Sequence, residues 1–341
     1  MFSHEKKINY LFFNWLTVSL FLVFSIIIVG GLTRLTNSGL SITEWELFKG
    51  IFPPLNESSW ITYFESYKKI PQYQILNSKM DLDEFKIIFY WEYFHRVLGR
   101  IIGIFFLIPL LFFHFNKKIN KKYLQTCNLI LFLIILQGAV GWFMVKSGLT
   151  NDVSVSHYRL SIHLTTALII ISVIFWLILN IKSNNFKKFF IFSKRNFPFL
   201  LLFFLIFSQI IVGAFVSGLD AGRIYQTWPL MGYSYFPNDL IIDSFENLVN
   251  FNNHSLVQFY HRNLAYIITL YILTFGFYIY KKKIRYLYKP IVIMFIFLTL
   301  QIILGVLTLI SGLSIYLASA HQICSVLLIF SAINVYYSYI K

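Results

Sequence analysis

The chain has 341 residues, 57% of them hydrophobic and 20% aromatic, with only 13% charged. That balance excludes a soluble globular domain, because its apolar runs reach the roughly 20 residues needed to cross a bilayer. The net charge of +15 invites a nucleic-acid reading, which the placement of the basic residues excludes.

Eight apolar runs occupy about 11–30, 88–113, 123–145, 159–180, 199–217, 257–280, 290–310 and 318–340. The first follows a short leader containing Lys6 and Lys7, and no A-x-A-like cleavage site comes after it, so it reads as a retained first helix. From Gly30-Gly31 through Trp45, glycines and short polar residues suit a tight exit from that helix. An unwound segment cannot face lipid, so this stretch is expected to pack over the bundle mouth. Two outer connections, about 31–87 and 218–256, are long, aromatic and marked by Pro53, Pro54, Pro71, Pro229 and Pro237; the other two are short. The inner segments and termini hold 17 of the 29 lysines and arginines but one acid, Glu5. This positive-inside asymmetry predicts cytoplasmic termini and makes the basicity topological, with no nucleic-acid role. Cys127 and Cys324 both fall within predicted helices and lack metal-ligand spacing, so they read as small packing residues.

The chain repeats itself. Val29-Gly30-Gly31, Gly39 and Trp45 match Val212-Gly213-Ala214, Gly222 and Trp228 at a constant offset of 183. Phe94-His95-Arg96-Val97-Leu98 matches Tyr260-His261-Arg262-Asn263-Leu264. Leu136-Gln137 with Gly141 matches Leu300-Gln301 with Gly305, and Tyr158, Ser161 and His163 match Tyr316, Ser319 and His321. The expected architecture is therefore an all-α polytopic membrane protein, its eight transmembrane helices forming two four-helix bundles, residues 1–198 and 199–341. An even number of helices per half keeps the copies parallel, related by a pseudo-twofold axis along the membrane normal.

Four of the eight histidines, His95, His163, His261 and His321, open even-numbered helices at similar depth. A single membrane histidine is commonly an interhelical hydrogen-bond partner; two repeated pairs point to ligation. Imidazole suits iron, zinc or copper, but zinc wants four ligands, or three and a water. Haem iron needs only two axial ligands, and bundle interiors build such sites, so one haem per half fits best. Glu92 stands one turn before His95, whereas the matching position before His261 is Gln258. A buried carboxylate is costly, which marks Glu92 for chemistry; its competing role is a helical ion pair with Arg96. Arg96, Arg100 and Arg262 suit haem propionates, as do Arg34, Arg159 and Arg223, with interfacial anchoring as the alternative. His4, His114, His157 and His254 read as solvated surface residues.

Taken together, Gly30–Trp45, Glu92–Arg100, His163-Leu164-Thr165-Thr166-Ala167, Asp220-Ala221-Gly222, Thr227–Gly232, Gln258–Arg262 and Ala320-His321-Gln322 resemble heme A synthase of the proteobacterial and mitochondrial type, over essentially the whole chain. The resemblance implies oxidation of the C8 methyl of heme O to the formyl group of heme A by successive hydroxylations. It implies that His261 and His321 ligate a resident heme b, with Arg262 beside it, and that His95 and His163 hold the substrate haem near Arg96 and Arg100, with Glu92 as the essential acid. Implied partners are heme O, the bilayer of the bacterial inner membrane with the haem sites toward the periplasm, a heme O synthase (protoheme farnesyltransferase) and a homo-oligomer. The outer-loop cysteine pairs of some members are missing here, which leaves the electron acceptor open. Two other readings compete: a bis-histidine membrane cytochrome exchanging electrons with quinol, and a haem carrier.

Overall fold

The computed structural model describes residues 2–44, 49–150 and 153–340, with side chains 2–8 and 49 left aside. Trp45 of the repeat and the His4 side chain therefore lie outside the described residues. Eight helices are long and apolar enough to span a membrane, and no strand occurs among the described residues. The spanning helices are α1 (Phe2–Leu35), α4 (Leu82–Asn116), α5 (Lys121–Gly148), α6 (His157–Lys182), α7 (Phe197–Gly218), α9 (His254–Lys281), α10 (Tyr288–Ile310) and α11 (Ile315–Tyr339). Short helices α2 (Glu57–Lys68), α3 (Pro71–Leu76) and α8 (Phe245–Leu248) lie in the two long connections. Contacts divide the chain into two compact units, Met1–Ile174 and Phe175–Lys341, so the division falls within α6.

α1 departs from expectation at its end. It runs straight through Gly30-Gly31 to Leu35, and the chain leaves it only at Asn37, whose φ is +53°. Two threonines explain the continuation: Thr33 and Thr36 return their hydroxyls to the carbonyls of Val29 and Leu32, at 2.9 and 2.8 Å. The glycines serve a contact across the bundle instead. The following segment does pack inward, with Ser38, Leu40 and Ser41 buried.

α4 starts six residues earlier than its apolar run. Asp81 accepts the Glu84 N–H at 2.8 Å while Glu84 accepts that of Asp81 at 3.2 Å, a reciprocal cap that nucleates the helix ahead of the apolar stretch. At about 1.5 Å per residue its 35 residues outreach a hydrocarbon core of about 30 Å. The projecting turns present Phe85, Ile88 and Phe89 to Trp60, Phe64 and Tyr67 of α2, forming an aromatic cap. Tyr67 accepts the Asn77 amide at 2.7 Å and donates to Gln72 at 3.0 Å; Gln72 in turn donates to the Asn37 carbonyl at 3.0 Å. That network ties the cap to the exit of α1.

In the second unit, Asn180 holds the chain after α6, accepting the Lys187 N–H at 2.9 Å and donating to its carbonyl at 3.2 Å. The Lys187 ammonium then donates to the carbonyls of Tyr337 and Ile340 at the end of α11.

Candidate functional site

Glu92 sits on α4 with 2% of its surface exposed. Its Oε2 accepts the Ser41 hydroxyl at 2.7 Å and the Ile42 N–H at 2.8 Å. Its Oε1 accepts Arg96 Nε at 3.0 Å and Nη2 at 2.5 Å, and Nη2 also donates to the Ile42 carbonyl at 2.9 Å. The i,i+4 ion pair weighed from the sequence is thus present, and together the two side chains clasp the N–H and C=O of one residue, Ile42, in the loop after α1.

The second unit repeats the clasp without charge on the first partner. Gln258, also buried, donates to the Tyr225 carbonyl at 2.9 Å. Arg262 donates through Nη2 to the same carbonyl at 2.9 Å, and through Nη1 to those of Thr227 and Leu230 at 2.9 and 3.1 Å. Ile42 and Tyr225 are separated by the repeat offset of 183. The Glu92/Gln258 exchange is therefore one of charge within a conserved local geometry, and it leaves an oriented carboxylate in the first unit alone.

The four histidines share a second geometry. His95, His163, His261 and His321 lie 21, 19, 20 and 18 residues from the C-terminal ends of their helices, each about one hydrocarbon thickness from that end. Each ring lies against a glycine of the preceding long helix: Gly30, Gly141, Gly213 and Gly305. A Cβ added there would stand 2.8–2.9 Å from the ring Cε1. In the first unit the His95 and His163 rings approach one another, centroids 6.3 Å apart at 69°. In the second, His321 is an electrostatic neighbour of His261.

The residues fit a haem. Imidazole–metal bonds are about 2 Å long, so a metal atom fits between the His95 and His163 rings, and haem iron takes its remaining ligands from the porphyrin. The Nδ1 atoms of both rings are buried without a hydrogen-bond partner. Among the described residues no cluster of three or more His, Cys, Asp or Glu could hold a bare ion. His163 also receives the Gln137 amide on its carbonyl at 2.9 Å, as His261 receives that of Gln209 at 3.0 Å.

The arginines spend donors on protein groups. Arg100 donates to the Gly50 carbonyl at 3.1 Å, Arg34 to Asn37 Oδ1 at 2.8 Å, and Arg159 to Ser147 Oγ at 2.5 Å. Arg262 Nε is buried with no partner, which leaves one donor for a ligand. Arg96 and Arg100 line a small notch with Tyr93, Phe89 and Phe52. His157 corrects an expectation: it is buried, its ring tilted against that of Tyr158 with centroids 4.1 Å apart, where α6 begins, whereas His114 and His254 are exposed as expected. Both cysteines are buried free thiols. Gln209 was absent from the sequence reading, although the pattern Gln-x-x-x-Gly recurs at Gln137, Gln209 and Gln301 and marks all three.

A family model described as cytochrome oxidase assembly protein matches residues 13–333. The chain is 48% identical over 326 residues to a protein of Pelagibacter ubique named heme A synthase, covering 95% of each. It is 41% identical over 320 residues to the heme A synthase of Flavobacterium psychrophilum, covering 92% of this chain and 94% of that one. With the heme A synthase of Rickettsia felis the identity is 38% over 321 residues, covering 93% and 94%.

Proposed function

The chain belongs to the heme A synthase family, and on that premise we propose that it oxidises the C8 methyl of heme O to the formyl group of heme A. The observation that carries the reading is the paired-histidine geometry present in each unit, with a buried carboxylate beside only one pair. His95 and His163 bind the substrate haem, and Arg96 and Arg100 face its propionates from the notch they line. His261 and His321 hold a heme b, with the spare Arg262 donor toward it; that group supplies a one-electron acceptor when bound.

The residues of the chain divide the remaining work. Glu92, fixed by four hydrogen bonds, is an oriented negative charge that favours positive charge developing at the oxidised methyl, more than a mobile proton acceptor. Release of Arg96 toward a propionate would free Oε1 to take a proton. The formyl oxygen is taken from water and the electrons leave to an external acceptor, while the clasped loops border the mouths of both sites.

The two halves, residues 1–198 and 199–341, act as duplicated four-helix bundles of an inner-membrane protein with cytoplasmic termini and periplasm-facing haem sites. Charge asymmetry supports that orientation. A farnesyl-transferring heme O synthase supplies the substrate, and a homo-oligomer is compatible with this arrangement.

The test is to express the chain with a supply of heme O, extract the porphyrins and identify them by mass. Heme A from the parent, and heme O or its hydroxylated form from Glu92→Gln with haem still bound, is the expected result. A parent that never yields an oxidised porphyrin overturns the function, and full heme A from the variant overturns the role of Glu92.

A further inference from the structure

Four separate helix pairs make one contact: a histidine ring closes on a glycine so tightly that a single methyl would collide with it. Small residues commonly let membrane helices approach, yet here the neighbour is the ring itself: from the position a Cβ would take, Cε1 is nearest at 2.8–2.9 Å, Nδ1 lies at 3.3–3.4 Å and Nε2 farthest at 3.6–3.9 Å. Nδ1 is thus the nitrogen nearer that position in all four, while Nε2 of His261 and of His321 also meets a partner-helix amide, Gln209 at 3.4 Å and Gln301 at 3.3 Å.

One turn before Gly305 is Gln301, and His321 Nδ1 lies 3.1 Å from its carbonyl oxygen. One turn before Gly213 is Gln209, whose side-chain amide lies 3.2 Å from His261 Nδ1. A ring that donates from Nδ1 to a carbonyl is fixed in the tautomer that offers Nε2 to a metal, and such a bond strengthens the ligand. In the first unit the glycine notches are the same, but Nδ1 of His95 and of His163 has no partner. The amide wall also thins there: Gln137 reaches only the His163 carbonyl, and the residue one turn before Gly30 is Ile26.

We propose that Gly30, Gly141, Gly213 and Gly305 are positioning residues for the haem-ligating histidines, and that the Gln301 carbonyl beside Gly305 makes His321 the firmest of the four ligands. This rests on the haem-binding reading of the histidines. The glycines set ring orientation by excluding a side chain; the Gln301 carbonyl sets the His321 tautomer. The first pair, oriented but without that bond, holds its haem more loosely.

The test uses the full chain purified with its bound haem. Gly213→Ala and Gly305→Ala are expected to convert the resident haem from a low-spin two-histidine absorption and electron paramagnetic resonance signature to a high-spin one, or to lose the haem. Gly30→Ala and Gly141→Ala are expected to leave that signature untouched and to bind added heme O roughly tenfold more weakly. Gly138→Ala, on the same helix as Gly141 but with open space around it, is expected to change neither. Where an alanine variant accumulates poorly, the same change is made in the matching histidine-to-alanine background, for example Gly213→Ala with His261→Ala. Recovery of the melting temperature there shows that the collision is with the ring. Unchanged haem signatures in both Gly213→Ala and Gly305→Ala, or equal destabilisation with and without the ring, overturn the proposal. These readouts report ligation alone, so a parent that makes no heme A overturns the proposed function without touching this inference.

Discussion

Arg96 donates to the carbonyl of Ile42 at 2.9 Å, and the same guanidinium holds Glu92. Its counterpart Arg262 makes the equivalent bond to Tyr225 at the same length. One side chain thus couples a connecting loop to the turn of helix that carries a histidine, in each unit by its own copy.

Arg262→Ala removes three hydrogen bonds to loop carbonyls. Bonds to a charged donor contribute about 1.5–3 kcal/mol each, so amides of residues 225–232 should exchange with deuterium at least tenfold faster. Amides of residues 38–44 should be unaffected. Arg96→Ala should produce the converse pattern and, by leaving Glu92 buried without its counter-charge, cost about 3–5 kcal/mol in thermal or denaturant unfolding.

Tyr67→Phe deletes the hydroxyl that joins Asn77 to Gln72 beneath the aromatic cap. Buried Gln72 and half-buried Asn77 each lose a partner, a cost of about 1–3 kcal/mol. Faster proteolysis within residues 57–80, with the haem spectrum of the second unit unchanged, is the expected outcome.

The long loop between α7 and α9 has a pH window. Burial pushes the Asp239 carboxyl upward, but hydrogen bonds from Ser255 and Tyr225 outweigh it and hold the group below its ordinary 3.8. Burial, then the bond to Asp239, raises the Tyr225 phenol above 10.0. The Asp239 contribution is present above pH 3.8 and lost as pH falls through the lowered value; that of Tyr225 is present below pH 10.0 and lost as pH rises through the raised one. Protection of residues 225–255 in hydrogen exchange should be flat between those limits and fall outside them, and Asp239→Asn should abolish the acid limb.

Asn180→Ala removes the two hydrogen bonds that Asn180 makes to the Lys187 backbone and leaves the Trp176 bond to the same carbonyl. With Asn180 only 1% exposed, the loss should be about 1–3 kcal/mol, visible as a lower melting temperature with the absorption of the bound haem retained.

The spanning helices were legible because a bilayer asks for length and apolarity, and both are written locally. Helices α2 and α3 were not, since their surroundings are as apolar and aromatic as they are. Yet Trp60, Phe64 and Tyr67 at helical spacing behind an Asn56 cap carry the signal. The histidine pairs were readable from the duplication, and Glu92 from its cost. Its grip on Ile42 was not, because that bond depends on how a loop of some fifty residues folds back. Glycines 30 and 141 stood in the repeat, but nothing local tells a glycine that ends a helix from one that admits a ring; Gly30 proved to be the second kind.

The reach of α4 has a mechanical consequence. Thirteen residues of continuous helix separate its start from His95, and Pro109, where a helix can bend, lies beyond that histidine toward the other end. Cap and His95 therefore ride on one stiff rod, and a load applied to Trp60 or Phe64 is delivered to that histidine as a displacement. α9 begins only seven residues before His261 and offers no such arm. Pressure on the first unit's cap is felt at His95, while His261 stands on a short, anchored post.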